Sequence, residues 1–259
     1  MNFQKILSVC FLVLVFLGCS KDDSSFEERN SGVNKSANLR TLGASANELL
    51  SDEKFTSIRI EMVYVPGYEP SQKTLDNLVD FLSKRTFKPD GVSITTRAVA
   101  TSGKAPFKIE EIVEIEAEER LLFNAGDEIA VYIYFADGSN EGDSNTKVIL
   151  GSAYRNTSMV IYGETLKTIA RRINAPDKST VESTVVNHEF GHLFGLVDLG
   201  SPMQVNHQDS ESEAHCNVED CLMMANVSFG IGILETTEDN QIPQLEDLCI
   251  RDLQANGGR

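Results

Sequence analysis

The sequence predicts an α/β fold of the α+β kind: a mixed, twisted sheet with packed helices and a short helical segment at the C-terminal end. Three observations carry that expectation. Stretches of alternating or continuous apolar residues, densest over 128–135, alternate along the chain with stretches whose apolar residues recur three and four apart. β-Branched and aromatic residues concentrate in the former, and Gly, Pro, Asn and Asp punctuate the boundaries. With 41% hydrophobic and 24% charged residues in 259, the composition excludes collagen, coiled coil and wholesale disorder.

In chain order, Lys5 precedes a twelve-residue apolar run over 6–17. A bilayer needs about 20 residues, so this run suits the core of a signal peptide rather than a span. Phe16-Leu17-Gly18-Cys19 then resembles a bacterial lipobox, which implies Cys19 as the lipid-modified first residue of the mature protein. Ser20-Lys21-Asp22-Asp23 resembles the acidic export signal on surface lipoproteins of Bacteroidetes-type bacteria. The expected organisation is a signal peptide over 1–18, a polar flexible tether over 19–52 and one domain over 53–259.

Within that domain, alternation over 57–65 ending at Pro66-Gly67 predicts a strand. Leu75, Leu78, Val79 and Leu82, with Ser71 as N-cap, predict a helix. A strand over 91–99 and a Glu-rich helix marked by Ile109, Ile112, Val113 and Leu121 follow, then the buried strand over 128–135. Strands over 147–154 and 158–162, helices over 164–173 and 179–195, a polar loop after Leu199 and a helix near 243–255 complete the chain.

Charge narrows the partners. Lys plus Arg is 23 against 39 Asp plus Glu, a net −16. Such a chain lacks the basic surface that phosphate binding requires, so nucleic acid and electrostatic adhesion to anionic lipid are both excluded. Membrane attachment is expected only through the lipid on Cys19, and the domain is expected to be a monomer.

The chemistry concentrates at His188-Glu189-Phe190-Gly191-His192. Histidines four apart on a helix share one face, so both imidazoles can reach one tetrahedral zinc. Glu189 is adjacent, placed to take a proton from a water at that metal. A catalytic zinc needs a third protein ligand and one open position. Asp198, six residues beyond His192 and past the helix-ending Gly195, is one candidate. His207 is another, because imidazole is the commoner zinc donor, and Glu211 or Glu213 would be the choice in a thermolysin-like arrangement.

Over 188–198 the sequence resembles the metzincin metallopeptidases, whose third ligand is His or, in snapalysin-like members, Asp at the position of Asp198. The resemblance implies a metzincin-like sheet, an active-site helix, a Met-containing turn beneath the zinc at Met223 or Met224, and zinc-dependent endopeptidase activity on extracellular proteins or peptides. Many members carry a Tyr two residues after that Met to assist the transition state. Ala225 and Asn226 stand there, leaving His215 as a candidate helper. Peptide substrates would lie along an edge strand, either 151–155 or 158–162. A non-catalytic surface module with a closed zinc site, or a hydrolase of small amides or cell-wall peptides, are the alternatives.

His215-Cys216, Cys221-Leu222-Met223 and Cys249 are also similar to archaemetzincins, in which a cysteine cluster near the Met turn holds a second, structural zinc. That pattern asks for a cysteine three residues after Cys249, where Asp252 stands. For an exported protein a disulfide, Cys216–Cys221 or Cys221–Cys249, is the expected alternative. Finally, the oxygen-rich loop over 137–145 is a candidate calcium site.

Overall fold

The computed structural model describes residues 34–144, 147–172, 175–228 and 240–259. The signal peptide and Cys19 lie outside the described residues. Among those described, no helix is long and apolar enough to cross a membrane.

Five strands form one sheet in the order β2-β1-β3-β5-β4. They are β1 (Ser57–Tyr64), β2 (Gly91–Ala98), β3 (Glu128–Ala136), β4 (Gly151–Arg155) and β5 (Ser158–Tyr162). All neighbours pair in parallel except β4 and β5, which form an antiparallel pair. β3 shows why its run reads as continuously apolar. Ile129, Val131, Ile133 and Phe135 enter one core layer, whereas Tyr132, Tyr134 and Ala136 enter the other. A central parallel strand is covered on both faces, so both halves of its two-residue period must be apolar.

Helix α3 (Ile109–Glu119) covers the second face through Ile112 and Ile115. The first face is covered by α2 (Gln72–Arg85), α4 (Gly163–Ala170), α5 (Lys178–Leu193) and α7 (Asp247–Ala255). Two short helices, α1 (Ala46–Leu50) and α6 (Ala225–Ser228), complete the set given names. Ser71 caps α2 as its sequence predicts, its Oγ accepting from Thr74 N–H at 3.1 Å. Glu182 of α5 accepts from Ser71 N–H and Thr74 Oγ1, tying the two helices together.

α5 departs from expectation in one respect: Thr180 through Leu193 are buried all round, not on one apolar side. Three of its polar residues have partners close at hand, whereas Asn187 Oδ1 and His192 Nδ1 are buried without one among the described residues. Thr184 Oγ1 donates to Thr180 O, Ser183 Oγ to Ser179 O, and Asn77 Nδ2 to Ser183 Oγ. The strand expected over 147–154 begins only at Gly151, and the C-terminal helix begins at Asp247 rather than near 243.

Of the tether expected over 19–52, residues 34–52 are folded into the domain, while residues 19–33 lie outside the described residues. Asn38 is fully buried and donates to Asn124 Oδ1 and Ala130 O. Arg40 and Asn156 exchange backbone and side-chain hydrogen bonds, and Leu49 and Leu50 of α1 enter the core. Lys88 closes the end of α1 by donating to the carbonyls of Glu48, Ser51 and Phe55. Polar composition concealed this because the buried polar residues act through partners far along the chain.

Candidate metal centres

α5 ends in a defined cap. Gly195 N–H bonds to His192 O at 3.0 Å and Leu196 N–H to Gly191 O at 3.1 Å, with Gly195 at φ 72°. This is a Schellman closure, for which glycine supplies the left-handed residue. Two further left-handed residues follow, Val197 at φ 53° and Asp198 at φ 66°. They carry the chain outward and leave Asp198 exposed. The expectation that Asp198 supplies the third ligand is therefore corrected.

His215 stands there instead, grouped with the two helix imidazoles. The chain returns to the site as a hairpin over 207–217, with Asn217 N–H bonded to His207 O and Asp209 N–H to His215 O. Gln208 and Cys216 form an antiparallel bridge at its centre. Ligand atoms of His188, His192 and His215 converge within 4.8 Å of one another. The Nε2 atoms of His188 and His192 are 3.1 Å apart. Two nitrogens on one tetrahedral zinc, each at about 2.0–2.1 Å, would stand roughly 3.3 Å apart, so the spacing fits.

Tautomers agree with this reading. His188 Nδ1 donates to Leu222 O at 2.6 Å, and His215 Nδ1 to Glu213 O at 2.9 Å. In each ring Nε2 is left as the electron-pair donor. Burial pushes the His188 imidazolium down to about 3, with the neighbouring His215 adding to the effect. Burial also lowers His192, far below its ordinary value, and His215. Neutral imidazoles are what a cation needs as ligands.

Glu189 lies beside them, 2% exposed, its Oε2 accepting from Ala153 N–H at 2.7 Å. Burial raises its carboxyl to about 8, opposed by that amide. Ala153 belongs to β4, which the strand order places at the sheet edge; β5, the other expected edge, is interior. A cavity of about 260 Å³ opens here, lined by Glu189, His192, His215, Ala153, Leu42 and Leu199 among others.

Met223 packs against α5 at Gly191. Met223 is fully buried, and a Cβ on Gly191 would stand 2.1 Å from its Sδ, so only glycine admits this approach. Met224 is half-buried at the margin of the core.

A second cluster lies nearby. Cys216, Cys221 and Cys249 are free and buried, so the expected disulfide is corrected. Cys221 Sγ is 3.7 Å from Cys249 Sγ, and His207 Nδ1 is 3.2 Å from Cys216 Sγ and 3.9 Å from Cys249 Sγ. Around a tetrahedral zinc with Zn–S near 2.3 Å, S···S and N···S separations would be roughly 3.8 and 3.6 Å. Ligand atoms of His207, Cys216, Cys249 and Glu246 lie within 4.8 Å of one another, and Cys221 joins this group through Cys249 rather than through a disulfide. His207, the other expected third ligand, thus belongs to this cluster. Val218 N–H reaches Cys216 Sγ and Met223 N–H reaches Cys221 Sγ, both at 3.4 Å, hydrogen bonds that favour thiolate. Donation from Cys216 and Cys249 holds the Cys221 thiol down to about 3.

Glu246 stands near but is otherwise engaged, accepting from Leu248 N–H and Cys249 N–H as the N-cap of α7. The loop proposed for calcium is engaged too. Asp143 accepts from Ile149 N–H and Thr165 Oγ1, and Asn140 Nδ2 donates to Tyr162 Oη. Among the described residues its acidic side chains form no converging group of three.

No family model matches the chain, and no curated protein matches it. Solved structures do. Archaemetzincin from Methanopyrus kandleri aligns at a TM-score of 0.49 and 18% identity, over 78% of this chain and 96% of that one. A zinc-dependent peptidase from Methanocorpusculum labreanum aligns at 0.48 and 14%, over 75% and 99%. Metalloproteinase-II from Bacteroides fragilis aligns at 0.40 and 13%, over 80% of this chain and 55% of that one.

Proposed function

We propose that the chain is a zinc-dependent endopeptidase, exported and held at the cell surface by lipid on Cys19, that cleaves extracellular proteins or peptides. One observation carries the reading. Two buried imidazoles and the half-buried ring of His215 converge beside a buried carboxylate at the mouth of a cavity along the sheet edge. Three protein donors leave a position open, which is the mark of a catalytic rather than a structural site.

His188, His192 and His215 would hold the ion, which when bound supplies a Lewis acid that polarises the scissile carbonyl and acidifies water. Glu189 acts as general base and then acid. Its Oε2 is anchored by Ala153 N–H, so Oε1 receives the proton from the attacking water and passes it to the leaving amine. β4 offers its outer edge to an extended peptide, which orients the scissile bond over the imidazoles.

The rival closed site of His188, His192, Asp198 and His207 finds no support, because Asp198 is exposed and His207 lies against the cysteines. A peptide library incubated with the full chain tests the reading. Cleavage should stop on chelation and return with zinc; cleavage that continues under chelation ends the proposal.

A further inference from the structure

The hairpin over 207–217 touches both clusters. His215 joins the three-imidazole group, while Cys216 joins the thiols. His207, across the hairpin, also faces the thiols. The Met turn binds to the same hairpin, with Cys216 N–H donating to Met223 O, and Leu222 O orients His188.

His207 is itself held in one orientation. Its Nε2–H donates to Asp252 Oδ2 at 2.9 Å, which leaves Nδ1 as the electron-pair donor toward the sulfurs. Asp252 is completely buried on α7, and its other oxygen accepts from Gln204 N–H at 2.7 Å. A carboxylate behind an imidazole fixes both ring orientation and tautomer. The hairpin contributes no other fastening of this kind at its His207 end.

We infer that His207, oriented by Asp252, is the fourth donor of a closed metal site with Cys216, Cys221 and Cys249, and that filling this site is what presents His215 to the catalytic centre. The inference rests on the proposed function for the identity of the first centre. Metal at the thiolate site fastens both strands of the hairpin, one through His207 and one through Cys216. The first centre then finds its third imidazole already placed. Without that clamp, His215 must be ordered at the expense of metal affinity. The coupling is reciprocal, so metal at either site raises affinity at the other by the same factor.

Cobalt(II) bound to the full chain separates the two, since only the thiolate site gives sulfur-to-cobalt charge-transfer absorption. His188→Ala with His192→Ala should leave one metal per chain and that absorption intact. Cys249→Ser should weaken the absorption, since one of three sulfur donors is lost, and also weaken metal binding at the imidazole site by about 10–100-fold, the usual cost of losing a supporting shell. Asp252→Ala should do the same to a smaller degree, and His207→Cys should retain the absorption and leave affinity at the imidazole site as in the wild type. The last two decide the matter if Cys249→Ser does not fold. Wild-type affinity at the imidazole site in Cys249→Ser or Asp252→Ala overturns the coupling, and unchanged absorption in His207→Ala overturns the assignment of His207. If the double histidine variant keeps two metals, the proposed function falls, and the coupling falls with it.

Discussion

The two clusters differ in donors, in closure and in the backbone that carries them. One gathers three imidazoles beside a cavity, two of them from successive turns of α5. The other gathers three thiols and an imidazole that are all buried, brought from the hairpin, the Met turn and α7. An open set of three invites a reacting molecule, whereas a closed set of four can only hold structure together. Glu189 marks the same division, because a buried carboxylate with a raised pKa beside the open cluster has a chemical use that a closed cluster would not need.

The largest expected effect breaks that comparison on the open side. Glu189→Gln keeps the shape of the side chain and leaves the imidazoles in place. Peptide hydrolysis should fall by about 10²–10⁴-fold with metal content unchanged. A variant that hydrolyses at the wild-type rate would make the carboxylate a bystander and leave the two clusters alike in function.

Gly191→Ala sharpens the comparison at the level of packing. The added methyl would meet Met223 Sδ at 2.1 Å, and Met223 sits between the Cys221 and α5 sides of the site. Overpacking of this kind costs about 1–3 kcal/mol. Urea unfolding should show the loss in the metal-free protein as well, because the clash needs no ion. An unchanged midpoint would mean that the Met turn can move away freely.

How far the site was legible follows from the backbone under each donor. His188, Glu189 and His192 lie on a regular helix, where spacing in sequence is spacing in space, and Gly195 closes it with the expected left-handed turn. His215 lies twenty-three residues past His192, beyond two left-handed residues and a polar loop, and no period reaches across such a segment. A signal was present in the adjacency of His215 and Cys216, a ring nitrogen and a thiol side by side in the segment after the helix. The fold divides in the same way. β3 announces itself by composition, but the packing of residues 34–50 depends on Asn38 and Arg40 bonding to Asn124, Ala130 and Asn156, 86 to 116 residues away. Contacts of that range leave no local pattern.

Acidity separates the groups within the open cluster. In metal-free protein the imidazole pKa values of His188, His192 and His215 are depressed, so the stability they contribute is present above about 6.5. It is lost as pH falls toward the folded value, about 3 for His188. Glu189 runs the other way. Its pKa rises from 4.5 to about 8, so its contribution is full below 4.5 and lost as pH rises through 8. Chemical denaturation under chelation should therefore show both limbs. Glu189→Gln should flatten the limb between 4.5 and 8 and leave the acid limb; if it leaves both limbs unchanged, Glu189 is not buried as described.

The smallest effect is expected at Asp198, and its smallness is informative. The motif spacing makes this residue a ligand, yet it stands exposed at φ 66°, a conformation that Asn tolerates as well as Asp. Asp198→Asn should change stability by less than about 0.5 kcal/mol and leave metal content as it was. The contrasting substitution is His215→Ala, which should empty the imidazole site and spare the thiolate absorption of cobalt. Were the Asp198 variant instead to lose one metal per chain, the chain after Gly195 would have to fold back onto the imidazoles. The hairpin would then have no part in the open centre, and the division between the two clusters would need to be redrawn.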